Sequence, residues 1–345
     1  MLKQTISTRL PAEWEPQDAV ILAWPHQKTD WAPMRQQVEA VYLELVRQIS
    51  RFESVIIVAP ETESIRHRII AEGIDPAPVF FRTIATNDTW TRDYGPLTVF
   101  DSRHALLLDF RFNGWGHKFP ADKDNLVTAQ LYGSGIFKMA KHQLVDLVLE
   151  GGSIEVDGLG TLLTTSQCLL NPNRNPQLDR LHLEKSLAEY FGIDHFLWLN
   201  HGSLAGDDTD AHIDTLARLC PNDTIVYVRC DREDDEHYPE LKRMEKQLTE
   251  FKTRTGQPFR LLPLPWPQAC HEDGERLPAT YANFLVINQA VLVPVYADPA
   301  DTLALTTIGK AFPDREIIGV DCRPLIKQHG SLHCISMQLP KGVLA

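Results

Sequence analysis

MRQQVEAVYLELVRQISRF, residues 34–52, runs one residue later into SVIIVA, residues 54–59, and this junction decides the fold class. In the first stretch Val38, Val41, Tyr42, Leu45, Val46, Ile49 and Phe52 recur at helical spacing, so one face is apolar and an amphipathic helix is predicted. The second stretch is a short β-branched run, which predicts a strand. The same alternation continues along the whole chain, so the protein is read as α/β.

Working outward, strands are predicted at 19–24, 105–110, 161–165, 196–199, 224–229, 259–262, 284–288, 290–295, 316–320 and 332–338. Helices are predicted at 177–191, 240–251 and 299–312, the last opened by Pro299 and Asp301, which suit a helix N-terminus. The 23 prolines are scattered, and there is no linker, low-complexity block or charge run. Residues 1–345 are therefore expected to form a single domain.

Composition narrows the function. Hydrophobic residues make up 43% of the chain, enough for a substantial core, and the formal net charge is −12. With no basic tract or basic-aromatic stripe, a nucleic-acid partner is not expected. Residues 1–9 lack the apolar core of a signal peptide, and no apolar run is long enough to cross a bilayer. A cytoplasmic protein with no membrane partner is expected. The six cysteines include no CxxC pair, so reduced thiols are expected too. Gly158-Leu159-Gly160 has no GxGxxG continuation, Ser153 is not in a GxSxG elbow, and neither a P-loop nor HExxH is present.

Four segments carry chemistry-bearing residues. Gly206–Asp214 packs four aspartates and a histidine into nine residues. Counted from Asp208, a calcium loop would need Gly and Glu where Ile213 and Leu219 stand, so that pattern fails. Asp207 and Asp208 read as capping residues of a turn, with a looser Asp/His metal site as the alternative. If the backbone is extended, His212 and Asp214 project to one face. In Trp90-Thr91-Arg92-Asp93-Tyr94-Gly95-Pro96, one reading is an Arg92–Asp93 pair on a solvated loop. The other is Asp93 aimed at a guanidinium beside an aromatic wall, Trp90. Glu150 closes the apolar run 144–149 and precedes Gly151-Gly152, which let backbone approach another group closely. Cys334 follows Gly330-Ser331-Leu332-His333 and opens the last predicted strand. It reads either as a core thiol or as a nucleophile whose pKa, about 8.5 when unperturbed, would be lowered by a neighbouring cation. His333 would then face away from it along the strand, leaving a distant histidine as its acid/base partner.

Taken in order, these segments resemble the agmatine deiminase / bacterial peptidylarginine-deiminase-like family of the guanidine-modifying (pentein) superfamily. The likeness also includes Leu10–Pro16, Ala23–His26, Phe112-Asn113-Gly114-Trp115-Gly116, the stretch 161–176 and Tyr281-Ala282-Asn283-Phe284. The resemblance implies a five-bladed α/β propeller of ββαβ-type modules with its site on the central axis. It implies Cys334 as nucleophile, His212 as general acid/base, and Asp93 and Asp214 as guanidinium-binding carboxylates. Glu150 would contact the substrate and the histidine, and Trp90 and Trp115 would contact the substrate. It implies hydrolysis of agmatine to N-carbamoylputrescine and ammonia without metal or organic cofactor, in a homodimer. Deimination of peptidyl or free arginine, a non-catalytic propeller, and a metal-dependent hydrolase built on Gly206–Asp214 are the alternatives. The chain departs from the family pattern at His117 and Ala211, where glycine is common, at His329-Gly330-Ser331-Leu332, where a glycine-rich run is common, and at Glu155, where some members have histidine.

Overall fold

The computed structural model describes residues 8–101 and 104–344, so the stretch 1–9 read for a leader lies, up to residue 7, outside the described residues. Five sheets repeat one pairing pattern. In four of them an antiparallel hairpin is followed by a third strand parallel to the hairpin's second. These are Leu97–Phe100, Ala105–Arg111 and Ala140–Val148; Ile154–Val156, Thr161–Thr165 and His195–Leu199; Ala217–Cys220, Thr224–Val228 and Arg260–Leu264; and Leu285–Ile287, Ala290–Val295 and Glu316–Asp321. The remaining sheet joins the two ends of the chain. Ser336–Pro340 runs antiparallel to Gln17–Ala23, which is followed by the parallel strands Ser54–Ala59 and Val79–Thr83.

A parallel pair needs a long crossover, and each crossover carries a helix. These are Arg35–Ile49 and Glu63–Ala71 in the end-joining sheet, then Val127–Gly133, Arg180–Phe191, Tyr238–Glu250 and Asp301–Ala311. Helix Arg35–Ile49 buries the stripe read in the sequence, and Ser54–Ala59 is buried on both faces beyond Ser54, as expected of a covered parallel strand. Helix Arg180–Phe191 starts three residues later than predicted. Asp179 caps it by accepting from the His182 N–H, and Gly192 ends it at φ +71°. Helix Tyr238–Glu250 starts earlier than predicted, because Pro239 fits the first turn. None of the described helices is long and apolar enough to cross a membrane.

Ala140–Val148 and Ile154–Val156 are not among the predicted strands: the first exposes Lys141, Gln143, Leu144 and Asp146, and the second is only three residues long, so neither reads as a full apolar strand. The predicted strand 332–338 begins only at Ser336, because the residues before it fold into turns: Ile335 N–H donates to Ser331 and Ser336 N–H to His333. Cys334 therefore sits in a turn.

Five segments pass from one sheet to the next: 84–96, 149–153, 200–216, 265–284 and 322–335. They meet in one place, and the chemistry-bearing residues lie on them.

Candidate active site

Segment 84–96 contributes Asp93, in the single helical turn Thr91–Tyr94. Segment 149–153 contributes Glu150 and the Gly152 backbone, 200–216 contributes His212 and Asp214, 265–284 contributes Asn283, and 322–335 contributes His333 and Cys334. All of these side chains are buried. Gly152 is required by close approach. A Cβ there would stand 2.6 Å from His212 Nδ1, 2.9 Å from Asp93 Oδ1 and 3.1 Å from Asp214 Oδ2.

The carboxylates are held on one side and open on the other. Asp93 accepts from Trp115 Nε1 at 2.9 Å and from the Gly152 N–H at 3.0 Å. Glu150 Oε1 accepts from Arg174 Nε at 2.9 Å, and Asp214 Oδ2 lies 2.7 Å from His333 Nδ1. Glu150 Oε2, Asp214 Oδ1 and both ring nitrogens of His212 are buried without a hydrogen-bond partner. His212 stands between two acids, with Nδ1 3.7 Å from Asp93 and Nε2 3.9 Å from Glu150. Cys334 Sγ lies 3.4 Å from Asn283 Oδ1 and 4.0 Å from Asp214 Oδ2.

Buried polar atoms without partners are costly, so a cluster of them marks a place prepared for a ligand. Burial pushes the Asp93 carboxyl up to about 6, although His212 pulls it back. Burial alone would raise Glu150 too, but His212 and Arg174 outweigh it and hold the carboxyl below its ordinary range. Burial opposes charge on His212, yet Asp93, Cys168 and Glu150 together hold it well above the ordinary imidazole range. Burial, then Asp214 and Asp93, push the Cys334 thiol well up. The resting thiol is protonated, and a cation bound among these acids would reverse that.

A cavity of about 280 Å³ leads from the surface to Cys334 and Asp93, with Trp90, Trp115 and Phe119 among its walls. Trp90 packs on Trp31 with ring centroids 5.5 Å apart, and a Cβ on Gly330 would come within 2.1 Å of the Trp90 ring. Trp115 meets Phe112 and Phe119 edge-on. Besides Asp93, the cavity is lined by Asp30, Asp88, Asp124, Asp207 and Asp208 and by Lys28 and Lys123.

All seven residues singled out in the sequence thus belong to one region, but not always as their spacing suggested. Ile213–Thr215 is a tight turn rather than extended backbone, so His212 faces Asp93 and Glu150 while Asp214 faces His333. Arg92 does not pair with Asp93 on a solvated loop. It is buried, donates through Nε to the His333 carbonyl at 3.3 Å, and approaches Glu13 at 3.9 Å. Asp207 caps a turn, accepting from the Thr209 and Ala211 N–H groups. Sequence reasoning did not single out Asn283, Arg174 or Cys168. Asn283 and Arg174 lie in stretches that carried the family likeness, but their contacts form only across the fold.

Two clusters among the described residues have metal-ligand types: Glu150, Cys168 and His212, and Glu13, Glu155 and His333. In the second, Arg218 already pairs with Glu13 and Glu155. In the first, Arg174 holds one oxygen of Glu150. The Gly206–Asp214 cluster is not among them. Asp210 pairs with Lys118 at 2.9 Å and also with Arg174, so it is spent on protein cations.

The glycine departures share a conformation. His117 has φ +64°, Ala211 +64° and His329 +67°, all in the left-handed region that glycine occupies without strain. Glu155 accepts from Arg218 Nε and from the Leu219 N–H beneath the site.

The chain is similar to known proteins over nearly its whole length. A structure of a Porphyromonas gingivalis protein provisionally named an arginine deiminase is 46% identical, covering 98% of this chain and all of its own, with a TM-score of 0.92. A C. jejuni agmatine deiminase variant with substrate bound is 40% identical over 99% of both chains, with a TM-score of 0.92. The agmatine deiminase of Pseudomonas aeruginosa strain UCBPP-PA14 is 32% identical, covering 96% of this chain and 95% of its own. Residues 9–340 match the Porphyromonas-type peptidyl-arginine deiminase family, and the chain belongs to that family.

Proposed function

We propose that this protein is an agmatine deiminase, a hydrolase of guanidino C–N bonds that works through a covalent adduct on Cys334. The observation that carries the reading is the ring of partnerless buried atoms, Glu150 Oε2, Asp214 Oδ1 and both His212 nitrogens, beside a thiol at the foot of a cavity. A planar guanidinium offers five N–H donors, which suits the two carboxylate oxygens, while the His212 nitrogens, protonated, are placed to donate. The likeness to a C. jejuni agmatine deiminase whose cysteine-to-serine variant holds substrate supports a cysteine in the same office. The five sheets, each passing one segment to a common centre, are read as the blades of a single five-bladed α/β propeller domain.

Asp93 and Asp214 take the guanidinium and orient its central carbon toward Cys334. The bound cation offsets the two acids that hold the thiol protonated, so on binding the thiol releases its proton to solvent and the thiolate forms. Its sulfur adds to the carbon. Protonated His212 gives its proton to the leaving nitrogen, the C–N bond breaks and ammonia departs. Neutral His212 then takes a proton from water as the oxygen attacks, the C–S bond breaks as the hydroxyl proton passes to sulfur, and a urea-type product leaves the resting thiol. Glu150 holds His212 and one substrate nitrogen. Among the other lining residues, Asp30, Asp88, Asp124, Asp207 and Asp208 outnumber Lys28 and Lys123. That balance favours agmatine, with its second cation, over free arginine, whose carboxylate needs a positive partner.

The test is ammonia release from chelator-treated protein given agmatine, free arginine and a blocked arginine peptide in parallel. Release from agmatine alone is expected. Release from the peptide alone would overturn the substrate while keeping the chemistry, and silence on all three would sink the reading.

A further inference from the structure

We propose that His333 is a positioning residue: an imidazolium clamped between Asp214 and Glu13, which fixes the Asp214 oxygen presented to the guanidinium. This rests on the reading of Asp214 as a guanidinium-binding carboxylate.

The two ring nitrogens of His333 each lie 2.7 Å from a carboxylate oxygen, Nδ1 from Asp214 Oδ2 and Nε2 from Glu13 Oε2. A bare nitrogen at either place would set lone pair against lone pair, so both carry hydrogen. Arg218 also comes within 3.0 Å of Nε2. That closeness follows from a shared acceptor, since Arg218 donates to the same Glu13 oxygen at 2.9 Å. Glu13 is further fixed through Oε1, which accepts from the Val286 N–H at 2.6 Å.

The backbone that carries the ring is held as well. The His333 N–H donates to Asn283 Oδ1 at 3.0 Å, and the His333 carbonyl accepts from Arg92 Nε. The same Asn283 oxygen lies 3.4 Å from Cys334 Sγ, so one amide sets both the clamp and the nucleophile. The charged groups around His333 are Glu13, Asp214 and Glu155 against Arg92 and Arg218. With His333 as imidazolium this buried set is balanced, and neutral His333 would leave a net negative charge beneath the substrate. With one lone pair of Oδ2 engaged by His333, Asp214 keeps Oδ1, the oxygen that has no partner, for the substrate.

Agmatine hydrolysis across pH tests this with H333A, H333N and E13Q. Asparagine keeps a neutral donor near the Nδ1 position. In H333A, Asp214 loses its cation, so KM rises even at pH above the Asp93 step, and below that step a second titrating carboxylate steepens the acid limb of kcat/KM. H333N recovers part of kcat/KM at high pH but keeps the steepened limb, and E13Q steepens it too. An acid limb of unchanged slope in both H333A and E13Q, or H333N no better than H333A, would overturn the clamp. Wild-type protein silent on agmatine would sink the functional reading instead. In that case, and if the variants do not fold, nitrogen NMR of histidine-labelled wild-type protein decides. Two protonated ring nitrogens on His333 at neutral pH are expected, and one bare nitrogen overturns the inference.

Discussion

The Cys334 thiol is held protonated by the same carboxylates that would draw a guanidinium to it. Its environment is therefore arranged for a cationic partner, not for a permanently reactive thiolate. Replacing Cys334 with serine is expected to abolish turnover while leaving the circular dichroism spectrum and the thermal midpoint nearly unchanged. Substantial ammonia release by that variant would remove the covalent mechanism. Asp93 must be ionised to accept from the substrate, and burial has raised it to about 6. The sign follows: kcat/KM should fall as pH drops through about 6, earlier than for an ordinary carboxylate. Trp115→Phe takes one of the two donors from Asp93. A hydrogen bond to a charged group contributes about 1.5–3 kcal/mol, so kcat/KM should drop roughly 10- to 100-fold, with the acid limb displaced upward. An unshifted limb would mean the indole only packs. The sequence made Asp93, Glu150, His212, Asp214 and Cys334 visible because their types and order follow a family pattern. Asn283, Arg174 and Arg218 were not visible, since an amide or guanidinium gains meaning only from what it is buried against.

At the scale of the element, the informative parts are the segments between sheets, not the strands. The periodicity that exposed helix Arg35–Ile49 and strand Ser54–Ala59 says nothing about 149–153 or 200–216, whose shapes come from turns and close approach. Gly152 shows this. Alanine there would push into His212 and Asp93 side chains rather than into backbone, so the variant should fold. A misplacement of about 1 Å in a catalytic group can reduce turnover by about 10²-fold, and steady-state kinetics of Gly152→Ala should show a loss of that order. Wild-type rates would mean the three side chains need no common register. Ala211 gives the opposite test. It holds φ +64° with no polar side chain to compensate, whereas His329, in the same conformation, bonds the Gly206 carbonyl at 2.7 Å. Ala211→Gly should stabilise the protein by roughly 0.5–1 kcal/mol, the left-handed strain relieved less the added chain entropy. A denaturation midpoint that falls would refute the strain.

Across the whole molecule, the proposed nucleophile lies next to the place where the chain closes on itself. Cys334 is two residues before Ser336–Pro340, the strand that pairs with Gln17–Ala23. The alternation of helix and strand was readable along the chain, but this pairing was not, because no local pattern links residue 17 to residue 340. Asp18 fastens the closure, with Oδ2 accepting from the N–H groups of Gly342, Val343 and Leu344 at 2.8, 2.8 and 2.9 Å. Asp18→Ala removes that acceptor, and leaving such donors unpaired costs about 1–3 kcal/mol. The loss should concentrate on the closing strand, whose C-terminal extension carries all three donors. Under increasing denaturant, Asp18→Ala should therefore lose ammonia release at a lower concentration than it loses helical signal, while the wild type loses both together. Loosening that strand frees the turn carrying His333 and Cys334 before the crossover helices yield. Coincident loss in the variant, at the wild-type midpoint, would show that the end-joining sheet does not govern the geometry of the nucleophile.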